Sequence, residues 1–272
     1  MPEHKFLAPQ PGSRVDHVGT YQRVLPVSLA RMFENALDWE HLPFLHSSSF
    51  SAIECEAAGP WGWRAKVLDA KGRESLLELS LDTTQRRWIT RTLKGEFAGA
   101  EIWTYVIERG PREIEIVVDF HVPGVAPEVR DRVGQAYARV YETLYDEDSA
   151  MMSSRQEMLD SRITPRKQDA PPSCLGHMGT LNFPLAAQFS GRDAVINVVA
   201  GSPVVHVARC PHLGAPLITG KVTENVLECP WHGYRFDLDT GQCLSGADCS
   251  IAAPFEVWIA DGALWIGVGK KG

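Results

Sequence analysis

Cys210-Pro-His-Leu-Gly214 and Cys229-Pro-Trp-His-Gly233 are the two stretches that decide the fold of the C-terminal part of this 272-residue chain. Their spacing reads C-x-H and C-x2-H, with sixteen residues between His212 and Cys229. A proline after each cysteine stiffens the loop, and the glycine that closes each stretch permits the torsions of a tight turn. We therefore predict two tight loops, each of which turns a cysteine and a histidine toward one point.

Two thiolates and two imidazoles in this order suit a [2Fe–2S] cluster in which one iron keeps sulfur ligands and the other takes histidines. Cys210 and Cys229 are the predicted ligands of the first iron, and His212 and His232 are those of the second. A structural zinc site is the alternative, because zinc also binds two cysteines and two histidines. Zinc sites usually pair like residues locally, so the mixed pairs found here favour the iron–sulfur cluster.

Residues 174–269 resemble a Rieske domain, because Cys229-Pro-Trp-His-Gly-Tyr-Arg-Phe-Asp237 and the following Thr240-Gly-Gln242 read like its oxygenase and ferredoxin branch. The cytochrome bc branch has an extra cysteine in each loop, and those two form a disulfide. Ala215 and Trp231 hold the equivalent positions here. The resemblance implies a lower-potential cluster that passes single electrons to an oxygenase.

Composition and charge argue against some classes of binding partner. The formal net charge of −7 and the absence of a basic run argue against nucleic acid. We find no signal-like N-terminus and no apolar run of the roughly 18 residues that a membrane span needs, so no membrane partner is expected. Cys55, Cys174, Cys243 and Cys249 are scattered, and we interpret them as reduced thiols of a cytoplasmic protein.

The first part of the chain reads as a helix, a run of strands and a long helix. The first helix is predicted in residues 26–46, with Ser28 as its N-cap and Pro43 ending or bending it. A second helix is predicted over 128–162. Between them, turn residues separate six predicted strands at about 50–57, 61–69, 75–82, 87–94, 101–108 and 112–121. This order predicts an antiparallel sheet wrapped round a helix, of which the helix-grip, START-like architecture is one example.

Asp38-Trp-Glu-His41-Leu-Pro-Phe-Leu-His46 has the spacing D-x2-H-x4-H, which resembles the mononuclear-iron motif of Rieske non-haem oxygenases. Two histidines and one carboxylate on one face of ferrous iron leave positions open for dioxygen and substrate. A single buried histidine is more often a core residue than a ligand. The pair at this spacing favours His41 and His46 as metal ligands.

The carboxylate ligand is predicted to be Asp148. Asp148 falls on the apolar stripe of the long helix predicted over 128–162. An uncompensated charge would be costly there. The resembled family places its metal carboxylate on this helix in a pattern that Glu147, Asp148 and Gln156 match. Asp38 is predicted to accept a hydrogen bond from the free N–H of His41. The resemblance further implies that Asp38 bonds a Rieske histidine, here His232 or His212.

Asn35 is predicted to line the mononuclear site and to orient substrate or metal-bound water. With these assignments the α+β chain is predicted to contain a catalytic helix-grip domain over 15–163 and an all-β Rieske domain over 174–272. Residues 163–173 form the predicted linker, and residues 1–14 a polar arm. The domain order is the reverse of that in the resembled oxygenases, which carry the Rieske domain first.

The resemblance implies an oxygenase component with a [2Fe–2S] cluster and mononuclear Fe(II). We expect hydroxylation or oxidative demethylation of a small apolar, cyclic substrate with O2. Electrons are expected from a separate reductase or ferredoxin, because no nucleotide-binding fingerprint is visible. The resemblance also implies a homotrimer, although docking within one chain stays open. The alternative function is a ligand-carrier domain fused to a Rieske electron-transfer module without oxygenase iron.

Overall fold

The computed structural model describes residues 17–161 and 170–268, so the predicted arm and most of the predicted linker lie outside the described residues. The chain divides into two compact units, with the boundary between Ser153 and Ser154. The domain limits of 15–163 and 174–272 stay a prediction.

The first unit contains a seven-stranded antiparallel sheet in the order β1-β7-β6-β5-β4-β3-β2. The strands are β1 (His17–Leu25), β2 (Phe50–Gly59), β3 (Gly62–Asp69), β4 (Glu74–Asp82), β5 (Arg87–Lys94), β6 (Glu101–Gly110) and β7 (Glu113–His121). The six strands predicted between residues 50 and 121 are confirmed. The sequence analysis missed β1, although partly buried and exposed side chains alternate along most of it.

The first helix is shorter than predicted. Helix α1 (Leu29–Leu37) begins where the Ser28 hydroxyl accepts the N–H of Arg31 at 3.4 Å, as predicted, and it ends before Asp38. A 3₁₀ turn (Trp39–His41) and the short helix α2 (Leu42–Leu45) follow. The prediction that Pro43 ends or bends the helix is wrong. Pro43 lies in the first turn of α2, where its missing N–H has no helical partner to lose.

The long helix α3 (Arg130–Ser161) follows a 3₁₀ turn (Pro127–Val129) and packs on the sheet within the first unit. Buried strand residues such as Ile116 and Phe120 form one core with Tyr145 of α3. At Gly134 the helix backbone lies so close to β1 that an added Cβ would be 2.2 Å from the Val18 carbonyl oxygen. The predicted antiparallel sheet around a long helix is thereby confirmed.

The second unit contains three three-stranded antiparallel sheets, ordered β11-β10-β9, β12-β13-β14 and β15-β16-β8. Their strands are β8 (Ser173–His177), β9 (Leu185–Phe189), β10 (Arg192–Val199), β11 (Ser202–Val207), β12 (Lys221–Thr223), β13 (Val226–Glu228), β14 (Arg235–Asp237), β15 (Glu256–Ala260) and β16 (Ala263–Gly267). No α-helix occurs within residues 170–268, which confirms the predicted all-β domain. Asp261 and Gly262, with φ of 50° and 73°, form the turn of the β15–β16 hairpin.

Among the described helices, none combines the length and the apolar character needed to cross a membrane.

Candidate metal centres

Two loops of equivalent construction carry the C-x-H and C-x2-H residues. One lies between β11 and β12, and the other joins β13 to β14. In each loop the cysteine N–H donates to the carbonyl of the residue five positions on, at 2.9 Å for Cys210 and 2.8 Å for Cys229. The glycine four positions on donates back to the cysteine carbonyl, at 2.9 and 3.0 Å. Both glycines have positive φ, 91° and 65°, so the loops require the conformation that glycine adopts freely.

The four predicted cluster ligands come together at these loops. Cys210 and Cys229 are 2% and 1% exposed, and their thiols share a hydrogen bond. This bond raises the pKa of Cys210 and lowers that of Cys229, so Cys229 becomes thiolate first. The rings of His212 and His232 pack edge to face, with centroids 4.5 Å apart. Two sulfurs and two imidazoles in one place are the donor set of a Rieske cluster.

His41, His46 and Asp148 form a second set of ligand atoms in the first unit. The Nε2 atoms of the two histidines are 3.2 Å apart. The Asp148 Oδ1 atom lies 3.5 Å from Nε2 of His41 and 3.1 Å from Nε2 of His46. The three residues are 3%, 1% and 7% exposed. Of the described residues, this is the one group of three potential ligand atoms that all lie within 4.8 Å of one another.

The spacing of these atoms fits a metal ion bound on one face. Bonds of about 2.1 Å at right angles put neighbouring ligand atoms about 3.0 Å apart. The observed separations of 3.1 to 3.5 Å need little adjustment to reach that arrangement. Two histidines and one carboxylate with other positions open are the donor set of non-haem ferrous enzymes. The residues present therefore fit mononuclear iron.

Three separate elements position these ligands. His41 ends the 3₁₀ turn after α1, His46 caps the C-terminus of α2, and Asp148 lies on the buried side of α3. Because α2 is a single turn that begins immediately after His41, it brings His46 back beside His41. The short helix produces the x4 spacing of the motif.

Two neighbouring polar side chains lie beside the ligands. The Asp38 carboxylate lies 3.5 Å from Nδ1 of His41, longer than an ordinary hydrogen bond. The Asn35 amide donates to Oδ1 of Asp148 at 2.9 Å, and Asn35 also lines the adjoining cavity. Its role in orienting substrate stays a prediction. Gln156, the last residue of the resembled pattern, instead donates to Asp160 at 3.0 Å.

Glu147 is a contact of the site that the sequence analysis did not identify. Its carboxylate lies 2.6 Å from Nδ1 of His46, on the ring edge opposite the ligand atom. Glu147 does not lie on the apolar stripe of α3, and its side chain is 31% exposed. The residue immediately before a helical ligand can still reach the back of a neighbouring ligand. The sequence feature that could have identified Glu147 is its position next to Asp148.

The charged groups of the site stabilise one another in their ionised forms. Burial lowers the pKa of His41, but the nearby carboxylates of Asp148 and Asp38 together outweigh burial and raise that pKa to about 9. Burial raises the pKa of Asp148, but the two histidines outweigh it and hold the pKa well below its usual range. At neutral pH the site therefore holds a protonated His41 beside the ionised carboxylate of Asp148. A bound cation would supply the same positive charge.

A cavity of about 120 Å³ adjoins the three ligands. Its wall is mostly apolar and aromatic, and it includes residues of α1, α3 and the sheet. The lining residues are Met32, Asn35, Ala36, Asp38, His41, Leu42, His46, Phe50, Trp63, Leu77, Leu79, Trp88, Thr90, Tyr141, Leu144, Tyr145 and Asp148.

Comparisons with known proteins bear directly on the second unit. Residues 174–255 match the family model of the Rieske [2Fe–2S] domain. The chain is 45% identical over 51 residues to cholesterol 7-desaturase nvd of Xenopus laevis, covering 18% of this chain and 11% of that protein. It is 41% identical over 44 residues to aminopyrrolnitrin oxygenase PrnD of Pseudomonas fluorescens, covering 16% of this chain and 12% of that one. The matched parts span about a tenth of these relatives' length.

A solved structure is also similar to the chain. It is a START superfamily protein from Mycobacterium smegmatis, with 15% identity and a TM-score of 0.42, covering 51% of this chain and 98% of that one.

The two cysteine–histidine loops and the family match define the class: this chain contains a Rieske [2Fe–2S] domain. The predicted cluster is thereby supported over the zinc alternative. The sheet-and-helix unit precedes that domain, so the predicted order, with the Rieske domain second, is confirmed. The pairing of Asp38 with His212 or His232 stays a prediction.

Proposed function

We propose that the chain is the oxygenase component of a Rieske-type system. It would use O2 and externally supplied electrons to hydroxylate or oxidatively demethylate a small apolar, cyclic substrate. The observation that carries the proposal is the buried triad of His41, His46 and Asp148, with ligand atoms 3.1 to 3.5 Å apart at the wall of an apolar cavity. A Rieske domain in the same chain supplies the matching source of single electrons.

In this proposal the chain's residues divide the work. His41, His46 and Asp148 hold ferrous iron, which when bound supplies the chemistry of dioxygen reduction. Glu147 fixes the ring of His46, and Asn35 fixes the Asp148 carboxylate. The apolar wall excludes bulk water from the reacting atoms.

Electrons would arrive at the cluster from a separate reductase or ferredoxin. Asp38 is the proposed link to the mononuclear site, because its carboxylate lies beside His41. Its second partner would be His232 or His212, within one chain or across a homotrimer.

The test is oxygen uptake and product analysis with a surrogate reductase, NADH and a panel of small ring compounds. Wild-type protein should consume O2 and form an oxygenated product only with a substrate present. His41→Ala should abolish product, and His17→Ala, at a half-exposed histidine on the outer strand β1, should leave it unchanged. Product formation that persists in His41→Ala would contradict the proposal.

A further inference from the structure

The cavity beside the triad contains polar groups that the proposed chemistry does not use. Trp63, which lines it, donates its indole N–H to the Ala36 carbonyl at 3.0 Å. The Tyr145 hydroxyl lies near Thr104. The hydroxyls of Tyr141 and Thr90 make no hydrogen bond with any other described residue. Two hydroxyls therefore line the cavity with their bonding capacity unused.

Tyr141 is close to the metal triad. Its ring packs against Phe120 and Tyr145, with centroids 5.2 and 6.1 Å away, which fixes its position on α3. Burial raises the pKa of Tyr141, and the nearby Asp148 carboxylate raises it further. The phenol therefore stays protonated and offers a hydrogen-bond donor. A partly buried donor that lines a cavity without a protein acceptor favours a ligand that provides one.

The cavity wall carries more negative than positive charge. The lining includes the carboxylates of Asp38 and Asp148 but no lysine or arginine. The positive charge of His41 at this wall is already paired with Asp148 and Asp38, so an anionic ligand would lose its hydration on entry and gain no further cationic partner. An uncharged ligand avoids this penalty.

The volume sets the size of the ligand. At about 120 Å³ the cavity is somewhat smaller than the roughly 150 Å³ engineered cavity that holds benzene. The cavity volume therefore limits the enclosed part of a ligand to about one ring.

We propose that this cavity selects uncharged, single-ring compounds with one hydrogen-bond acceptor, and that the Tyr141 hydroxyl binds the acceptor with Thr90 beside it. This inference rests on the proposed function, because the bound compound is taken to be the substrate. It concerns binding alone and is tested without turnover. Tyr141 is then a specificity-determining residue that discriminates an ether or ketone from the hydrocarbon of the same shape.

The test uses calorimetric titration of the full iron-loaded chain, without reductant, with anisole, ethylbenzene and benzoate. Anisole and ethylbenzene have nearly the same shape, and only anisole carries an acceptor. Wild-type protein should bind anisole about three- to tenfold more tightly than ethylbenzene, the effect of one neutral hydrogen bond. Benzoate should bind at least about tenfold more weakly than anisole.

Tyr141→Phe should remove most of the preference for anisole over ethylbenzene by weakening only anisole binding. Tyr137→Phe is the matched control, because Tyr137 lies on the same helix and packs on the same Phe120 but does not line the cavity. It should leave the ratio unchanged. Thr90→Val should reduce the ratio and gives a second variant if Tyr141→Phe is poorly folded.

Benzoate binding as tight as that of anisole, or an unchanged anisole preference in Tyr141→Phe, would overturn the inference. The result is separable from that of the proposed function. If the binding pattern holds while no ring compound supports oxygen uptake, the oxygenase proposal fails and the cavity's selectivity stands, which is the behaviour of a ligand carrier.

Discussion

At the scale of single residues, the carboxylates of α3 have different tasks although they are adjacent. Asp148 presents Oδ1 to both histidines, and Glu147 contacts the back of the His46 ring. Asp146, one position earlier, pairs with Arg23 at 2.6 Å. Helical rotation of about 100° per residue separates the three side chains, so a single turn of helix supplies a ligand, a ligand support and an unrelated surface ion pair.

Glu147→Gln should weaken binding of Co²⁺ at the mononuclear site by about 10- to 100-fold, because the charged partner that orients the His46 ring is removed. The measurement is a Co²⁺ titration of protein depleted of mononuclear iron, with the visible spectrum of the cluster preserved. Asp146→Asn is the matched control and should change the affinity little. Equal affinities in Glu147→Gln and wild type would show that the contact with His46 does not support the metal.

The raised pKa of His41, about 9, sets the pH dependence of metal binding. In iron-depleted protein His41 is protonated below that pH and must release its proton before it can bind a metal. Affinity for Co²⁺ should therefore rise about tenfold per pH unit from pH 6.5 to pH 8.5 and level off above about pH 9. Titration calorimetry in two buffers of different ionisation enthalpy counts the released proton. An affinity that does not change over this interval would contradict the protonated state of His41.

Site residues could be predicted from the sequence where burial of a charged group requires a compensating partner. Asp148 could be predicted because a carboxylate on an apolar stripe must be compensated. Glu147 could not, because its contact depends on the orientation of the His46 ring. That orientation follows from α2, a four-residue helix too short to give a periodic signal.

At the scale of elements, close contact between backbones defines how α3 meets the sheet. Gly134 of α3 faces Gly19 of β1, where an added Cβ at Gly19 would lie 3.0 Å from the Gly134 Cα. Neither position has room for a side chain. This pair of glycines sets the distance between helix and strand in the first unit.

Gly134→Ala should destabilise the protein by about 1–3 kcal/mol, because the new methyl group meets the rigid Val18 carbonyl. In an unconstrained helix the same change would stabilise by about 1 kcal/mol, so the sign of the effect distinguishes the two cases. Urea unfolding followed by circular dichroism measures it. Gln135→Ala, at the adjacent exposed position, is the control and should have little effect. A Gly134→Ala variant as stable as wild type would mean that helix and strand are further apart.

Elements were predictable where their pattern is local. The strands between residues 50 and 121 alternate in polarity and are separated by turn residues, so each is visible in its own sequence. Strand β1 was missed because it pairs with β7, about a hundred residues further along the chain, and no neighbouring hairpin marks it. Pro43 was misread because one proline can either end a helix or begin one, and only the preceding break at Asp38 decides between them.

At the scale of the whole molecule, one chain contains two proposed sets of iron ligands in two compact units. The cysteine–histidine loops have a spacing that few other sites share, so the Rieske domain could be recognised from sequence. The mononuclear site draws its ligands from residues about a hundred positions apart, and only folding brings them within 3.5 Å. The assembly that would link the two centres has no signature in either pattern.

The central claim is that this chain holds two separate iron centres, and iron content with electron paramagnetic resonance tests it most directly. Wild-type protein, reconstituted anaerobically, should contain three irons per chain and show the reduced-cluster signal. His41→Ala should contain two and keep that signal, whereas Cys229→Ser should lose the signal and keep one. Two irons per chain in the wild type, or loss of the cluster signal in His41→Ala, would contradict the account.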